Sequence, residues 1–404
     1  MKRLLAALVL SAIYSFGYFI VEDDYAKQVE VLQSLDIDTS FLQDTVFTSM
    51  RDNMRNYKTK QFLRVLENGA QFAPILTTMI EEAKIPDVFL YLAMAESGFS
   101  TNAYSKAKAS GLWQFMAPTA KKYNLLIDDY VDERRDPVKS TEAAIKYLQA
   151  LHDRFGKWYL AAMAYNCGEG RVSKAITQAG TDSLYVLLDE NKKYLPKETR
   201  DYIRKIVVMA YLSQDVNFLL DNEASHVLNS GNMSPSFVKA DIYGGSSLAD
   251  VAEAIDMPLK ELLAYNTHLK YFFTPPNKDT YHIYIPSDKL ALFETNFKIE
   301  RGGSKYYVYT VEKGDSLQKI AKRYDVSYQV IKDFNSIRSD IIRAGQKLIV
   351  PTAYTTRYYT IQSGDTLQSI STKYKLTVAQ LMQTNNLKDS TIFPGAKLEI
   401  PMGN

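Results

Sequence analysis

The sequence predicts a multidomain α+β chain: an all-α domain first, then small modules built strand–helix–helix–strand. Three observations carry this. From 87 to 220 apolar residues recur at helical spacing and no strand pattern interrupts them. After about 225 the texture changes to short alternating segments punctuated by Pro and Gly. Within that second part an ungapped repeat recurs with a period of 50 residues.

The elements follow in order. Lys2 and Arg3 precede an apolar stretch from Leu4, interrupted by small residues at Ser15 and Gly17. This predicts a secretory signal cleaved after Gly17. The alternative is a retained membrane anchor, since the run to Val21 just reaches spanning length. Residues 25–86 are helix-like, with mixed charge and few glycines. A helix is expected from Asp87 to Ala95, entered at Pro86 and stopped by Gly98. Asp136-Pro137 opens another, with Asp as cap and Pro in the first turn, running to Gly156. WYLAAMAY (158–165) follows and breaks at NCGEG, with Glu169 as a helix-start acid. RVSKAITQ then runs to Gly180, and ETRDYIRKIVVMAYL covers 198–212.

The repeat aligns YTVEKGDSLQKIAKRYDV (309–326) with YTIQSGDTLQSISTKYKL (359–376), Asn335 with Asn385, and AGQKLIVP with PGAKLEIP. YYVYTV alternates like a half-buried strand. Leu317, Ile320, Ala321 and Tyr324 fall on one helix face, Val330, Ile331 and Phe334 on a second, and KLIV closes as a strand. GGS at 302–304 and TAYTT at 352–356 are expected linkers. A degenerate third copy spans 238–286, without the Gly-Asp and with FFTPPNKD (272–279) disturbing its end. The expected divisions are a signal or anchor at 1–21, a helical segment at 25–74, the all-α domain at 75–225, the degenerate module at 238–298, and two modules at 305–352 and 357–402.

Composition excludes more than it assigns. The net charge is +2, without the basic stripe that nucleic acid requires or an acidic tail for a basic partner. The one cysteine, Cys167, allows no intramolecular disulfide and is expected as a small buried apolar residue. None of the histidines (152, 226, 268, 282) has metal-ligand spacing with another, and His152 is expected at the surface. GEGRV lacks the Lys-Ser/Thr of a phosphate loop. The 29 tyrosines offer aromatic faces with hydroxyls, a chemistry that suits sugar rings and equally fills half-exposed cores.

Glu96 is the most informative residue. It ends the apolar run LYLAMA (90–95), and no other Asp or Glu occurs from 97 to 127. At the negative end of a helix dipole and beside apolar side chains, its carboxyl should hold its proton. A surface Glu in a last turn is the plainer alternative. The surrounding motifs decide between them.

Glu96-Ser97, Ser105, GLWQFM (111–116), AYNCGEGRV (164–172) and LPKETRDYI (195–203) occur in an order and spacing that resemble the soluble lytic transglycosylase family, its membrane-bound D-type members above all. The resemblance covers about 75–220 and implies a goose-lysozyme-like fold that cleaves peptidoglycan. The two modules resemble LysM domains, which bind N-acetylglucosamine polymers. Two departures stand out. Lys108 occupies a position where Gly is usual, and the N-terminal lipidation cysteine of the D-type members is absent.

The resemblance makes Glu96 the catalytic acid, first protonating the leaving oxygen and then deprotonating the sugar's own 6-hydroxyl. It implies substrate-binding roles for Ser105, Gln114, Met116, Tyr165, Asn166, Glu198 and Tyr202, and neither cofactor nor metal. Each has a structural alternative: a turn cap for Ser105, core filling for Met116, a left-handed C-cap for Asn166, a purely structural part for Glu198 and Tyr202. Tyr165 is expected to aim its hydroxyl at the Glu96 region. In the modules the resemblance places the glycan groove between Gly314-Asp315-Ser316-Leu317 and Ile342–Gly345, and between Gly364-Asp365-Thr366-Leu367 and Ile392–Gly395. Leu317 and Leu367 are expected in the core, and backbone groups are the better candidates for binding acetamido groups. The implied partner is peptidoglycan, in the periplasm or cell envelope. A lysozyme-type hydrolase and a non-catalytic wall-binding scaffold are the competing readings.

Overall fold

The computed structural model describes residues 25–224, 236–275, 277–297, 306–351 and 356–401, except 325, 327, 375, 376, 379, 380, 383, 384, 386 and 388. The N-terminal apolar run, His226 and both expected linkers apart from Thr356 lie outside these residues. Among the described residues no helix is long and apolar enough to cross a membrane. The chain divides into two compact units, Met1–Phe237 and Val238–Asn404.

Among the described residues before β1, the regular elements of the first unit are helices, with a few isolated bridges between loops. In order it contains α1 (25–34), α2 (Thr45–Tyr57), α3 (Thr59–Gly69), α4 (Ala73–Glu82), α5 (Phe89–Ser97), α6 (Ala117–Lys122), α7 (Pro137–Phe155), α8 (Trp158–Cys167), α9 (Glu169–Ala179), α10 (Leu184–Leu187), α11 (Lys197–Gln214) and α12 (Val216–Asp221). The sequence of α5, FLYLAMAES, is apolar on every side, so the helix is buried on every side until its last turn. It packs against α4 and α11, and α11 in turn lies against α2 and α8. Ile206, Val207, Val208 and Leu212 give α11 its buried length. The 25–86 region packs into this body. Asp44 Oδ2 accepts 2.8 Å from Arg204 Nη2, and Leu35 O accepts 3.1 Å from Tyr159 N.

Local signals set most helix ends. Asp136 caps α7 by accepting from Val138 N at 3.0 Å and Lys139 N at 2.9 Å, and Gly156 ends it in the left-handed region at φ 70°. Gly98 ends α5 the same way at φ 60°. The start of α5 differs from the sequence expectation. Residues 86–88 form a tight turn whose carbonyls accept from Phe89, Leu90 and Tyr91, so the regular helix begins at Phe89. The expected break after Tyr165 also moves. Helix α8 continues through Asn166 and Cys167, and Gly168 alone (φ 88°, ψ 142°) turns the chain into α9. Asn166 is therefore helical and not a left-handed cap, and Cys167 is half-buried, not buried. His152 is half-buried too, because its ring stacks on Trp158 at 3.8 Å.

The segment between α5 and α7 is held by a buried ion pair. Arg134 donates to both oxygens of Asp132 (2.9 and 2.7 Å) and reaches the carbonyls of Lys108 (2.9 Å) and Phe115 (3.1 Å). Gly111 lies so close that an added Cβ would stand 1.7 Å from Arg134 O. Trp113 is fully buried and donates 2.8 Å to Thr141 Oγ1 on α7.

The second unit holds three modules. The first contains β1 (Phe237–Tyr243), whose first residue closes the helical unit, α13 (Leu248–Ala254), α14 (Leu259–Tyr265) and β2 (Thr280–Pro286), followed by α15 (Leu290–Asn296). The second contains β3 (Tyr306–Thr310), α16 (Leu317–Tyr324), α17 (Tyr328–Phe334) and β4 (Lys347–Pro351). In the third, β5 (Thr356–Thr360), α18 (Leu367–Lys373) and β6 (Lys397–Pro401) are described. The pairs β3–β4 and β5–β6 are antiparallel in identical register, Tyr309 opposite Leu348 and Tyr359 opposite Leu398. Leu317 and Leu367 are buried in their module cores, as expected.

An asparagine locks the last strand in place. Asn335 donates to Ile331 O (2.7 Å) and Ile349 O (2.8 Å) and accepts from Ile349 N (2.7 Å). Asn266 does the same with Leu262 and Tyr284, which makes the degenerate copy a true structural copy. Its insertion folds back on the loop after β1. Thr274 O accepts from Gly245 N at 3.0 Å, and a Cβ on Gly244 would stand 1.9 Å from Lys278 O. Phe272 meets Tyr306 of the next module edge-on at 5.3 Å between centroids and stacks on its Phe334 at 6.0 Å.

Replacing Arg134 with Met should strand the Asp132 carboxylate and two carbonyls, at a cost of about 3–5 kcal/mol. Thermal unfolding should then fall by roughly 10 °C. A midpoint within about 2 °C of the parent would show that the pair does not anchor this segment.

Candidate active site

Glu96 lies in the last turn of α5, half-buried, and its surroundings come from α11. Tyr202, 7% exposed, donates its hydroxyl to Glu96 Oε1 at 2.6 Å. Three residues further along α11, Lys205 donates its ammonium to Ala95 O at 2.8 Å. That contact places a cation on the carbonyl end of α5, where the helix dipole favours it. Glu198, exposed one turn before Tyr202, completes a face at i, i+4, i+7.

These groups act on Glu96 in opposite directions. Burial raises its pKa above the ordinary carboxyl range. The Tyr202 hydrogen bond and the Lys205 charge oppose that, and the Glu198 charge adds to it. The net direction is upward, so the site favours a protonated carboxyl. Burial also drives the Tyr202 hydroxyl well above its usual range, so it stays a neutral donor. Burial lowers Lys205, while Glu96 holds it up.

The remaining expected residues distribute unevenly. Tyr165 does not bond Glu96. Its hydroxyl donates 2.8 Å to Trp113 O, tying α8 to the GLWQF loop, although the charge of Glu96 still acts on it. Its ring packs at 5.1 Å from Tyr147, which lies 5.2 Å from Tyr123, and burial pushes the Tyr147 hydroxyl up to about 12. Asn166 accepts 2.8 Å from Thr199 Oγ1 and so joins α8 to the start of α11. The Ser105 hydroxyl accepts from Ala109 N at 3.0 Å, which is the turn-cap role, and its proton remains available to another acceptor. Gln114, at φ 48°, gives its amide protons to Gly111 O (2.8 Å) and Ala103 O (3.3 Å), and its carbonyl oxygen can act only as an acceptor. Met116 is 43% exposed, which removes the core-filling alternative. Lys108 adopts φ 68°, the left-handed geometry that makes Gly the easier residue there.

Sequence reasoning missed Lys205 altogether and gave Tyr202 a substrate-binding or purely structural part, whereas its hydroxyl bonds Glu96 itself. The signal was present as the 198, 202, 205 spacing on one predicted helix. Which carboxylate that face would meet was not.

In the modules the polar motif residues serve the loop. Asp315 Oδ2 accepts from Tyr309 Oη (2.5 Å) and Glu312 N (2.8 Å), and Asp365 Oδ2 accepts from Tyr359 Oη (2.7 Å) and Gln362 N (2.8 Å). These donors hold both carboxyls below the usual range. Ser316 accepts from Lys319 N, and Thr366 forms a capping box with Ser369. Gly314 and Gly364 adopt φ 91° and 93°. Gly345 N donates to Val311 O (2.7 Å) and Gly395 N to Ile361 O (2.8 Å), so each first loop adjoins the loop before the last strand. Phe393, 68% exposed, stands on that second loop.

Comparison with known proteins agrees with this division. Residues 77–187 match the transglycosylase SLT domain, 309–351 and 359–401 the LysM domain, and 236–299 the LysM-like domain of lytic transglycosylase MltD. The chain is 28% identical over 287 residues to membrane-bound lytic murein transglycosylase D of Escherichia coli K12, covering 67% of this chain and 61% of that protein. It thus spans about three fifths of that relative's length. N-acetylmuramoyl-L-alanine amidase sle1 of Staphylococcus epidermidis is 39% identical over 138 residues, 33% of this chain and 41% of its own. The spore cortex-lytic enzyme SleL of Bacillus cereus shares 32% identity over 25% of this chain and 23% of its own, with a TM-score of 0.12. The chain carries an SLT-type domain followed by a LysM-like module and two LysM modules.

Because the Tyr202 hydrogen bond opposes the upward shift of Glu96, Tyr202→Phe should raise the Glu96 pKa further. A carboxyl-carbon NMR titration of selectively labelled protein should show the Glu96 transition moving to higher pH. An unchanged or lower transition would contradict the geometry.

Proposed function

We propose that the helical unit is a lytic transglycosylase acting on peptidoglycan, and that the LysM modules hold it on the glycan. It cleaves the MurNAc-β-1,4-GlcNAc bond without water and leaves 1,6-anhydro-MurNAc ends. The observation that carries this is the half-buried Glu96, raised in pKa and held by one neutral hydroxyl, inside an SLT-type domain. A protonated carboxyl gives its proton to the glycosidic oxygen as the bond to the anomeric carbon breaks. The neighbouring N-acetyl group stabilises the oxocarbenium-like centre. The Glu96 carboxylate then removes the proton of the sugar's 6-hydroxyl, whose oxygen bonds to the anomeric carbon. Glu96 ends protonated, as it began.

Tyr202 keeps one carboxyl oxygen fixed, so the other faces the substrate, and Lys205 holds the end of α5 that carries it. The Gln114 carbonyl, the Ser105 hydroxyl proton and the exposed Met116 are the groups proposed to touch sugar. Tyr165 and Asn166 act one step back, fixing the GLWQF loop and the start of α11. Export by the N-terminal basic and apolar run places the chain in the cell envelope, where its substrate is. One observation favours a second reading, a lysozyme-type hydrolase: Glu198 supplies a second carboxylate whose charge reaches Glu96.

Glu96→Gln should lower glycan cleavage by about a thousandfold or more without lowering the melting temperature. Substantial activity of the purified variant in a zymogram would remove Glu96 from the chemistry. Deleting 305–404 should leave cleavage of soluble fragments intact and weaken pelleting with intact sacculi by roughly tenfold or more. A truncated chain that pellets as well as the parent would refute the holding role.

A further inference from the structure

The LysM-like module closes a loop differently from the two LysM modules. Leu248 and Asn266 align with Leu317 and Asn335, so Gly245-Ser246-Ser247 stands where Gly314-Asp315-Ser316 stands in the first LysM module. Gly245 keeps the positive φ of Gly314, 79° against 91°, but Ser246 takes the place of the aspartate. In the LysM modules that aspartate ties the loop to its own strand end, through Tyr309 and Glu312 or through Tyr359 and Gln362. In the LysM-like module the tie comes from Thr274, on the insertion before the last strand. Its hydroxyl accepts from Ser246 N (3.0 Å) and donates to Tyr243 O (2.7 Å).

The backbone continues the closure. Thr274 N donates to Ser246 O (3.0 Å), and Thr274 O accepts from Gly245 N (3.0 Å). Phe272 O accepts from Leu248 N (2.8 Å), and Asp279 O from Gly244 N (3.1 Å). The extra chain supplies the reach: the asparagine lock spans 18 residues here and 14 in the first LysM module. Phe273 and Thr274 are buried, whereas Ile341 and Phe393, on the loops before the last strands of the LysM modules, are exposed. A ligand entering between the two loops of the LysM-like module would have to break these bonds and leave their donors unmatched.

The same insertion also faces its neighbour. Strand β3 sends Tyr309 into its own module core, and strand side chains alternate, so Tyr306 faces away from that core. Tyr306 is nevertheless only 4% exposed. Phe272 and Phe273 cover it, with centroids 5.3 and 5.0 Å from its ring. Phe334 of α17 completes the cluster, 5.6 Å from Tyr306 and 6.0 Å from Phe272. The second LysM module carries Thr356 and Thr384 at the positions aligned with Tyr306 and Phe334.

We infer that the LysM-like module takes no glycan, because its insertion fills its own groove, and that it serves as the docking base of the first LysM module. The first half rests on the reading of the LysM modules as glycan holders. The docking half stands without it.

Hydrogen exchange of the full-length protein, followed by mass spectrometry, tests both halves. A soluble oligomer of N-acetylglucosamine should slow exchange at 311–317 with 342–346 and at 361–367 with 392–396, and leave 243–248 and 272–279 unchanged. Protection of 243–248 and 272–279 would overturn the first half. Protection in none of the three modules would contradict the holding reading and leave the docking to be decided by variants. Tyr306→Thr/Phe334→Thr uses residues that the second LysM module already carries at these positions. It should speed exchange in β3, α17 and β4 by roughly tenfold, each lost aromatic pair giving a factor of about two to ten. Exchange in 356–401 should stay as in the parent. Phe272→Ala, made in the other module, should speed exchange in β3, α17 and β4 as well. Unchanged exchange there in both variants would overturn the docking. Faster exchange in the Tyr306→Thr/Phe334→Thr variant alone would place the loss inside the LysM fold and overturn it too.

Discussion

The hydrogen bond from Tyr202 to Glu96 is the contact on which the site depends. A helix apolar on all sides can be buried whole, but its last turn here carries a carboxyl that must find a donor. A neutral phenol meets that need without forcing ionisation. A lysine or arginine in its place would hold the carboxyl down and spoil it as an acid. The nearest cation instead engages the Ala95 carbonyl, steadying the helix end while acting on Glu96 only through space. The packing of α5 on α11 therefore sets both the position and the proton affinity of one group.

The rest of the helical unit fixes what surrounds that group. The buried Asp132–Arg134 pair holds the backbone from Lys108 to Phe115, and Tyr165 holds it again at Trp113. Two left-handed residues, Lys108 and Gln114, sit within this segment. Such geometry costs on the order of 1 kcal/mol per residue and persists where neighbours over-determine it. Thr199 and Asn166 bring the start of α11, with Glu198, to the same side. The modules follow a different economy. Their carboxylates and hydroxyls bond within the loops, and Phe393 stands exposed beside them.

Much of this was legible in the chain, for local reasons. Pro137, Gly98, Gly156 and Gly180 act on their own helix ends, so those ends are readable without tertiary knowledge. The 50-residue repeat exposed two modules at once and aligned Asn335 with Asn385, but the strand lock that Asn335 and Asn266 form is visible only in the structure. Long-range choices were not legible. Nothing near Glu96 says that Tyr202, 106 residues on, supplies its donor. Nothing near Lys108 says that Arg134 holds its carbonyl. Cys167 looked like core because it follows an apolar helix, yet that helix is leaving the interior at Tyr165. The family resemblance aimed Tyr165 at the Glu96 region, but its hydroxyl donates to the backbone carbonyl of Trp113.

In the proposed reaction one acid uses the sugar's own hydroxyl where a hydrolase would use water. Mass spectrometry of the products of full-length protein on purified peptidoglycan measures this directly. The expected products are muropeptides ending in 1,6-anhydro-MurNAc, each lighter by one water than its hydrolytic counterpart and resistant to borohydride reduction. Products with hydrated, reducible ends would contradict it and would give Glu198 a part in activating water.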